Sequence, residues 1–220
     1  MKSKIIVIYL FICSSNLFGQ GYNHQWLLGY VNAPYLTATM SFDSSSYNLQ
    51  TGFRKMKFDD AEGNISDQNG NFLMSSNGQW IANANNDTML NGSGLNPCPD
   101  LLNYPRGSPL AFSNLILPFP GDSLKYILFH HGFLEDGLQD PTYAIMQSII
   151  DMTLDGGLGG ITIKNDTILS DTLNWGFGAC KHANGRDWWI VVQKQNSPKL
   201  YKILLTPIGI QSITLQNQGG

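Results

Sequence analysis

A few groups of residues have the side chains that chemistry needs. Glu135, Asp136 and Asp140 crowd one loop and could offer carboxylate oxygens to Ca²⁺, but their spacing does not match an EF-hand. Paired acids for glycoside hydrolysis are the other use of such a loop, yet nothing singles out a pair. Asp67-Gln68-Asn69-Gly70 also begins like a calcium loop, without the bidentate Glu that should follow. His130 and His131 suggest a metal until the strand they sit on is considered. Neighbours on a strand point to opposite faces, so the two cannot share one ion unaided. His182 lies in the run KHANGRDWW, where an ordered turn would hold its imidazole against Asp187 as a structural lock. Trp175, Trp188 and Trp189 could form a sugar-stacking platform, although at most one of Trp188 and Trp189 is exposed if the other is core. No GxSxG, HExxH or phosphate-cradling glycine loop occurs. No catalytic, cofactor-binding or metal-ligating residue is assigned. The weight falls on a non-catalytic protein, with the enzyme question open.

The elements around these residues are strands and tight turns. The stretch EGNISDQNGNFLMSSNGQWIANANNDTMLNGSGL at 62–95 reads as an exposed turn, a strand, a second turn, a return strand and a Gly-rich exit. Asn69-Gly70 and Asn77-Gly78 are hairpin signals, because Asn and Gly accept the positive φ such turns demand. Strands are also expected at 25–30, 37–42 and 51–58, the last with Phe53, Met56 and Phe58 inward and Arg54, Lys55 and Lys57 solvated. A second unit comprises 113–117, 125–131 and 141–151, extended through Met152-Thr153-Leu154. A third comprises 179–183, 188–193 and 200–206, followed by a strand beginning near Ile208 that ends without a partner. No helical periodicity competes.

The device recurs roughly every 50–60 residues, in the range of one four-stranded propeller blade with long loops. The fold expected is all-β, a partial or open β-propeller of about three antiparallel blades over residues 21–220. A closed propeller has four to eight blades, so the chain reads as incomplete, with two apolar blade faces available for self-association.

Composition agrees with that class. Charged residues make up 13% of the chain, aromatics 11%, and 23 of 220 residues are Gly, which fits a β-rich extracellular domain. A net charge of −3 supplies no basic field, which argues against nucleic acid as a partner. Residues 1–20 read as a cleaved signal peptide: Lys2 and Lys4, then IIVIYLFI, then a polar exit. A lipoprotein signal at Cys13 is the lesser alternative, since Leu10-Phe11-Ile12 lacks the small residue expected before such a Cys. No second hydrophobic span follows. Cys98 and Cys180 remain; pairing them would close a long loop and contribute roughly 3–5 kcal/mol, and the sequence leaves that pairing open. Neither has a second ligand at zinc spacing.

Several phrases, in order, resemble a known family. They are Glu62-Gly63-Asn64-Ile65-Ser66-Asp67 with Asn69-Gly70, Ser76-Asn77-Gly78, and Met89 through Leu95 (MLNGSGL). Pro118-Phe119-Pro120-Gly121 before Tyr126-Ile127-Leu128-Phe129, then DMTLDGGLG from Asp151 and KHANGRDWW from Lys181, complete the set. Together they are similar to the N-terminal β-propeller region of large secreted surface proteins of Bacteroidota, which commonly end in a type IX secretion (gliding-motility-associated) sorting domain. The resemblance covers about residues 45 to 206. It implies an exported protein, periplasmic, cell-surface or secreted, that binds a protein or glycan or acts as a scaffold. It implies no cofactor and no catalytic residue. Asp87-Thr88-Met89, Asp122-Ser123-Leu124, Asp166-Thr167-Ile168 and Asp171-Thr172-Leu173 resemble the O-glycosylation acceptors of such proteins, or are ordinary turn-to-strand grammar. The alternative function is a glycan-acting propeller hydrolase or lyase using Glu135, Asp136 and Asp140.

Overall fold

The structure, a computed structural model, describes residues 21–29, 37–43, 45–132 and 142–219. The signal-peptide reading of residues 1–20 and the acidic loop of Glu135, Asp136 and Asp140 lie outside the described residues.

The described chain is all-β, apart from three short 3-10 turns. Strands β1 (Gln25–Leu28), β2 (Thr37–Phe42) and β3 (Tyr47–Gly52) form an antiparallel three-stranded sheet. Three four-stranded antiparallel meanders follow. The first is β4 (Gly63–Ser66), β5 (Phe72–Ser76), β6 (Trp80–Ala82) and β7 (Thr88–Ser93). The second is β8 (Asn114–Pro118), β9 (Lys125–Gly132), β10 (Thr142–Asp151) and β11 (Gly160–Leu173). The third is β12 (Gly178–Lys181), β13 (Trp188–Gln193), β14 (Lys199–Thr206) and β15 (Gly209–Asn217).

A single parallel bridge, Gly160 to Leu90, joins β11 to β7 and makes the first two meanders one eight-stranded sheet. At its other end β4 approaches β8 closely: a Cβ on Gly63 would lie 3.3 Å from the Cβ of Asn114. The eight strands thus nearly close on themselves, with two apolar faces turned inward. Ile65, Met74, Ile81 and Met89 from the first meander meet Ile116, Tyr126, Leu128, Ile150 and Ile161 from the second. The second meander's other face supplies Leu117, Ile127, Phe129 and Ile145 to a second seam against Ile190, Val192, Ile203 and Leu205 of the third. A third seam joins Leu27, Met56 and Phe58 to Ala82, Phe72 and Trp80. Strand period two explains the pattern, because alternate residues of one meander feed two different seams. The order of packing is therefore first sheet, first meander, second meander, third meander.

The turns close by side-chain caps. Asp67 Oδ1 accepts the Asn69 and Asn71 N–H groups at 2.8 and 2.9 Å. Asn77 Oδ1 accepts from Gln79 and Trp80 at 3.1 and 3.2 Å, and Asn184 Oδ1 from Arg186 and Asp187, both at 3.0 Å. These are the local bonds for which Asp and Asn are favoured in turns.

Several expectations need correction. The opening of the 62–95 stretch is a strand, β4, because Ile65 is buried in the seam; its Gly-rich exit is also a strand, β7. Residues 53–58 are not a regular strand: Phe53 is 85% exposed while Met56 and Phe58 are buried. Arg54 is buried rather than solvated. Its guanidinium donates to the carbonyls of Met56, Ala38 and Leu28 at 3.1, 3.5 and 3.2 Å and lies 4.6 Å from the Phe58 ring centroid. Strand β10 stops at Asp151, whose carboxylate accepts the Thr153 N–H and hydroxyl and turns the chain there. The fourteen-residue β11 was not expected at all. Strand β15 does not lack a partner; it pairs with β14 from Lys199–Asn217 to Thr206–Gly209.

Candidate functional site

Where the leading strands of the first sheet and the first two meanders converge, the chain leaves a cleft of about 290 Å³. Its walls are Asn23 and 25–28, then Glu62, Gly63 and Asn64 from the start of the first meander, and Asn114, Leu115 and Ile116 from β8. Asn64 builds one wall. Its Nδ2 donates to the Gln25 carbonyl at 2.7 Å and its Oδ1 accepts the Leu27 N–H at 3.3 Å, so one amide side chain pins β1 to β4. Trp26 is the adjoining wall, 52% exposed and meeting Phe42 edge-on at 4.9 Å.

Two acceptors border the cleft. Asn114 is buried and its Nδ2 donates to the Ser76 carbonyl at 3.4 Å, while its Oδ1 has no partner among the described residues. That oxygen is closed to solvent, so its desolvation cost is borne inside the fold. Glu62 supplies the second acceptor. Desolvation pushes its carboxyl above the usual range, and the Arg54 charge partly counters that. The same Arg54 is itself lowered by desolvation, with Glu62 opposing.

A larger groove of about 560 Å³ runs beside Trp80, Leu95, Pro97, Pro99 and Leu101. It is mostly apolar, and the Gln79 amide there is committed to the Leu101 and Tyr104 carbonyls, both at 2.7 Å. The cleft has the more varied chemistry.

The residues singled out from sequence are dispersed. His130 and His131 are both buried and enter opposite seams. His130 Nε2 is 3.4 Å from Ser148 Oγ; His131 Nδ1 is 2.9 Å from Thr142 Oγ1, and its ring stacks on Phe177 at 4.5 Å. Burial pulls their pKa values down to about 4 and about 3, the second aided by its neighbour's charge. No group of three or more potential metal ligands occurs among the described residues.

His182 does belong to a turn lock, but not through its imidazole on Asp187. Its backbone N–H donates to the Asp187 carbonyl at 2.8 Å and its Nδ1 accepts the Asn184 N–H at 3.1 Å. The Asp187 carboxylate instead receives Arg186 at 2.7 and 3.2 Å and the Asn184 amide at 2.7 Å. Trp188 turns inward and its Nε1–H donates to the Pro118 carbonyl at 3.0 Å. Trp189 faces the other way, with Lys202 Nζ 5.0 Å from its ring and His182 tilted against it at 5.6 Å. Trp175 is exposed and far along the chain from either. They form no common platform. Cys98 is buried beside the apolar groove and Cys180 is exposed on β12; the two are not bonded to one another.

Sequence reasoning missed Trp26, Glu62, Asn64 and Asn114 as a group. Their contact depends on how three sheets converge, and no local spacing encodes that. The one signal was Asn114 directly before the apolar run LIL, a polar residue where a buried strand begins.

Comparison with protein-family models, with curated proteins and with solved structures found no match. No helix among the described residues is long and apolar enough to cross a membrane.

Proposed function

We propose that the chain is an exported, non-catalytic binding or scaffold module, each four-stranded meander serving as one blade of an open β-propeller. The observation that carries this reading is the stack itself. Phe72, Tyr126 and Trp188 occupy the second strand of successive meanders, and each neighbouring pair buries its apolar residues face to face. A cleft at the convergence of leading strands is where a blade arrangement places its central channel. Export rests on the basic and apolar residues of 1–20 and on the ordered resemblance to secreted Bacteroidota surface proteins.

The chemistry of the cleft favours holding a ligand over cleaving one. Glycoside hydrolysis in its usual form needs two carboxyl groups across the bond, and Glu62 is the one carboxylate among the described residues that line the cleft. The hydrolase or lyase reading depends on Glu135, Asp136 and Asp140, and alanine at all three with a polysaccharide activity screen tests it directly.

Self-association belongs to the same proposal. On the outer face of the first sheet, Trp26, Met40 and Leu49 form one cross-strand row, with Phe42 and Tyr47 beside it. The outer face of the third meander is better guarded, since Lys202 reaches over Trp189 and binds Gln216 at 3.1 Å. The partner for the first face is a second copy of the chain. Residues 21–220, expressed and measured by light scattering and small-angle scattering, should give concentration-dependent mass and an elongated stack. A strictly monomeric mass at all concentrations removes the self-association, and a profile of separate, unstacked sheets removes the blade arrangement.

A further inference from the structure

Strand β1 is an edge of its sheet, because among the described strands it pairs with β2 alone. The Phe42 N–H donates to the His24 carbonyl at 2.9 Å, so by strand alternation the backbone groups of residues 24, 26 and 28 face β2. Those of Gln25 and Leu27 point out of the sheet. The usual defences of an edge are missing here: no residue of β1, β2 or β3 is charged, and none is Pro. The other edge of the same sheet is β3, exposed along its whole length. A bare β1 edge would therefore accept β3 of a second copy. That contact is head-to-tail, and it repeats without closing. Blocking one of the two edges is enough to stop it.

The outward groups of β1 are blocked. Asn64 Nδ2 donates to the Gln25 carbonyl at 2.7 Å and Asn64 Oδ1 accepts the Leu27 N–H at 3.3 Å. A carboxamide has the donor and the acceptor of a peptide group. The two groups it takes, one on either side of Trp26, are those that one residue of an added parallel strand would use. The alternation of β4 aims it there. Gly63 approaches Asn114 and Ile65 enters the seam with the second meander, which turns Asn64 toward β1.

We propose that Asn64 is an edge guard: its amide stands in for a neighbouring strand and keeps β3 of a second copy from adding to β1. The inference is independent of the face-to-face association above, which leaves the edge backbone of β1 untouched.

The test follows amide hydrogen exchange at Leu27 in residues 21–220 over a range of protein concentrations, with mass by analytical ultracentrifugation. In the wild-type chain Leu27 should be protected at every concentration. Asn64→Ala and Asn64→Leu should speed its exchange about tenfold or more in dilute solution. Protection should then return as concentration rises, together with an open-ended increase in mass beyond that of wild type. Asn64→Asp loses the donor to Gln25 but puts a charge at the edge, so its mass should stay that of wild type. Leu27 unprotected in the wild-type chain overturns the guard. So does a Leu27 that stays unprotected in both the Ala and Leu variants at every concentration, with mass unchanged. Unfolding of both variants overturns it as well, since a guard is dispensable to the fold of a single copy.

Discussion

His130 and His131 are consecutive on one strand yet stand in different seams, the first beside Ser148 and the second stacked on Phe177. Both are held neutral by burial, with pKa values lowered from 6.5 to about 4 and about 3. Below pH 6.5 the unfolded chain takes up protons that the folded chain refuses. Stability is therefore complete above that value and falls as pH drops toward 4 and 3, where the folded histidines titrate. The two shifts together amount to several kcal/mol on the order of 1.4 per pH unit, a large share of an ordinary domain's stability. Acid titration followed by near-ultraviolet circular dichroism should show loss of tertiary signal within that window. His131→Phe, which keeps a ring against Phe177, should move the acid midpoint lower; an unchanged midpoint would show that His131 does not drive the transition.

Arg54 is a buried cation held by carbonyls rather than by a carboxylate. Arg54→Met keeps much of the volume and leaves three acceptors unpaired while losing the contact with Phe58. The expected cost is about 2–4 kcal/mol. Lys55→Met, at an exposed position paired with Asp87 across 3.2 Å, should cost under ~1 kcal/mol. Equal denaturant midpoints for the two variants would contradict the role of Arg54.

Trp188 and Trp189 should respond differently. Trp188→Phe removes the bond to the Pro118 carbonyl that ties the second and third meanders, for about 1 kcal/mol, and Trp188→Ala should cost several times more. Trp189→Ala loses an outer contact with Lys202 and His182 and should be milder. Chemical denaturation of the three variants measures this order, and a costlier Trp189→Ala would reverse the assigned faces.

Gly70 closes the first hairpin at φ +87°, and a Cβ there would lie 2.9 Å from the His24 ring. Gly70→Ala should destabilise by about 1–3 kcal/mol. Gly185→Ala, at φ +73° with open space around it, should cost less, because backbone strain is its one penalty. Thermal midpoints compare the pair.

The turns and the main strands were legible because Asn-Gly, Asp and alternating apolar residues act locally. The signals at Asn69-Gly70 and Asn77-Gly78 produce the hairpins flanking β5, and Lys125–Gly132 is a strand as its apolar run suggests. Short β4 and β7 were not, since four to six residues with Gly and Asn have no readable period; their partners make them strands. Arg54 misled for a related reason: alternation assigned it outward, but the chain at 53–58 leaves the sheet and the guanidinium meets carbonyls from β1 and β2. The cleft was illegible, being assembled from positions near 25, 62 and 114.

All strand pairings among the described residues join chain neighbours, except the Gly160–Leu90 bridge and the isolated Leu173–Lys194 bridge. A polypeptide wired in this way can zip each hairpin as it leaves the ribosome, without waiting for distant sequence to arrive. What must come late is only the docking of finished sheets onto one another. The slow step of assembly should thus be burial of the interior seams, and ageing or stress should first loosen whole sheets rather than unravel single strands.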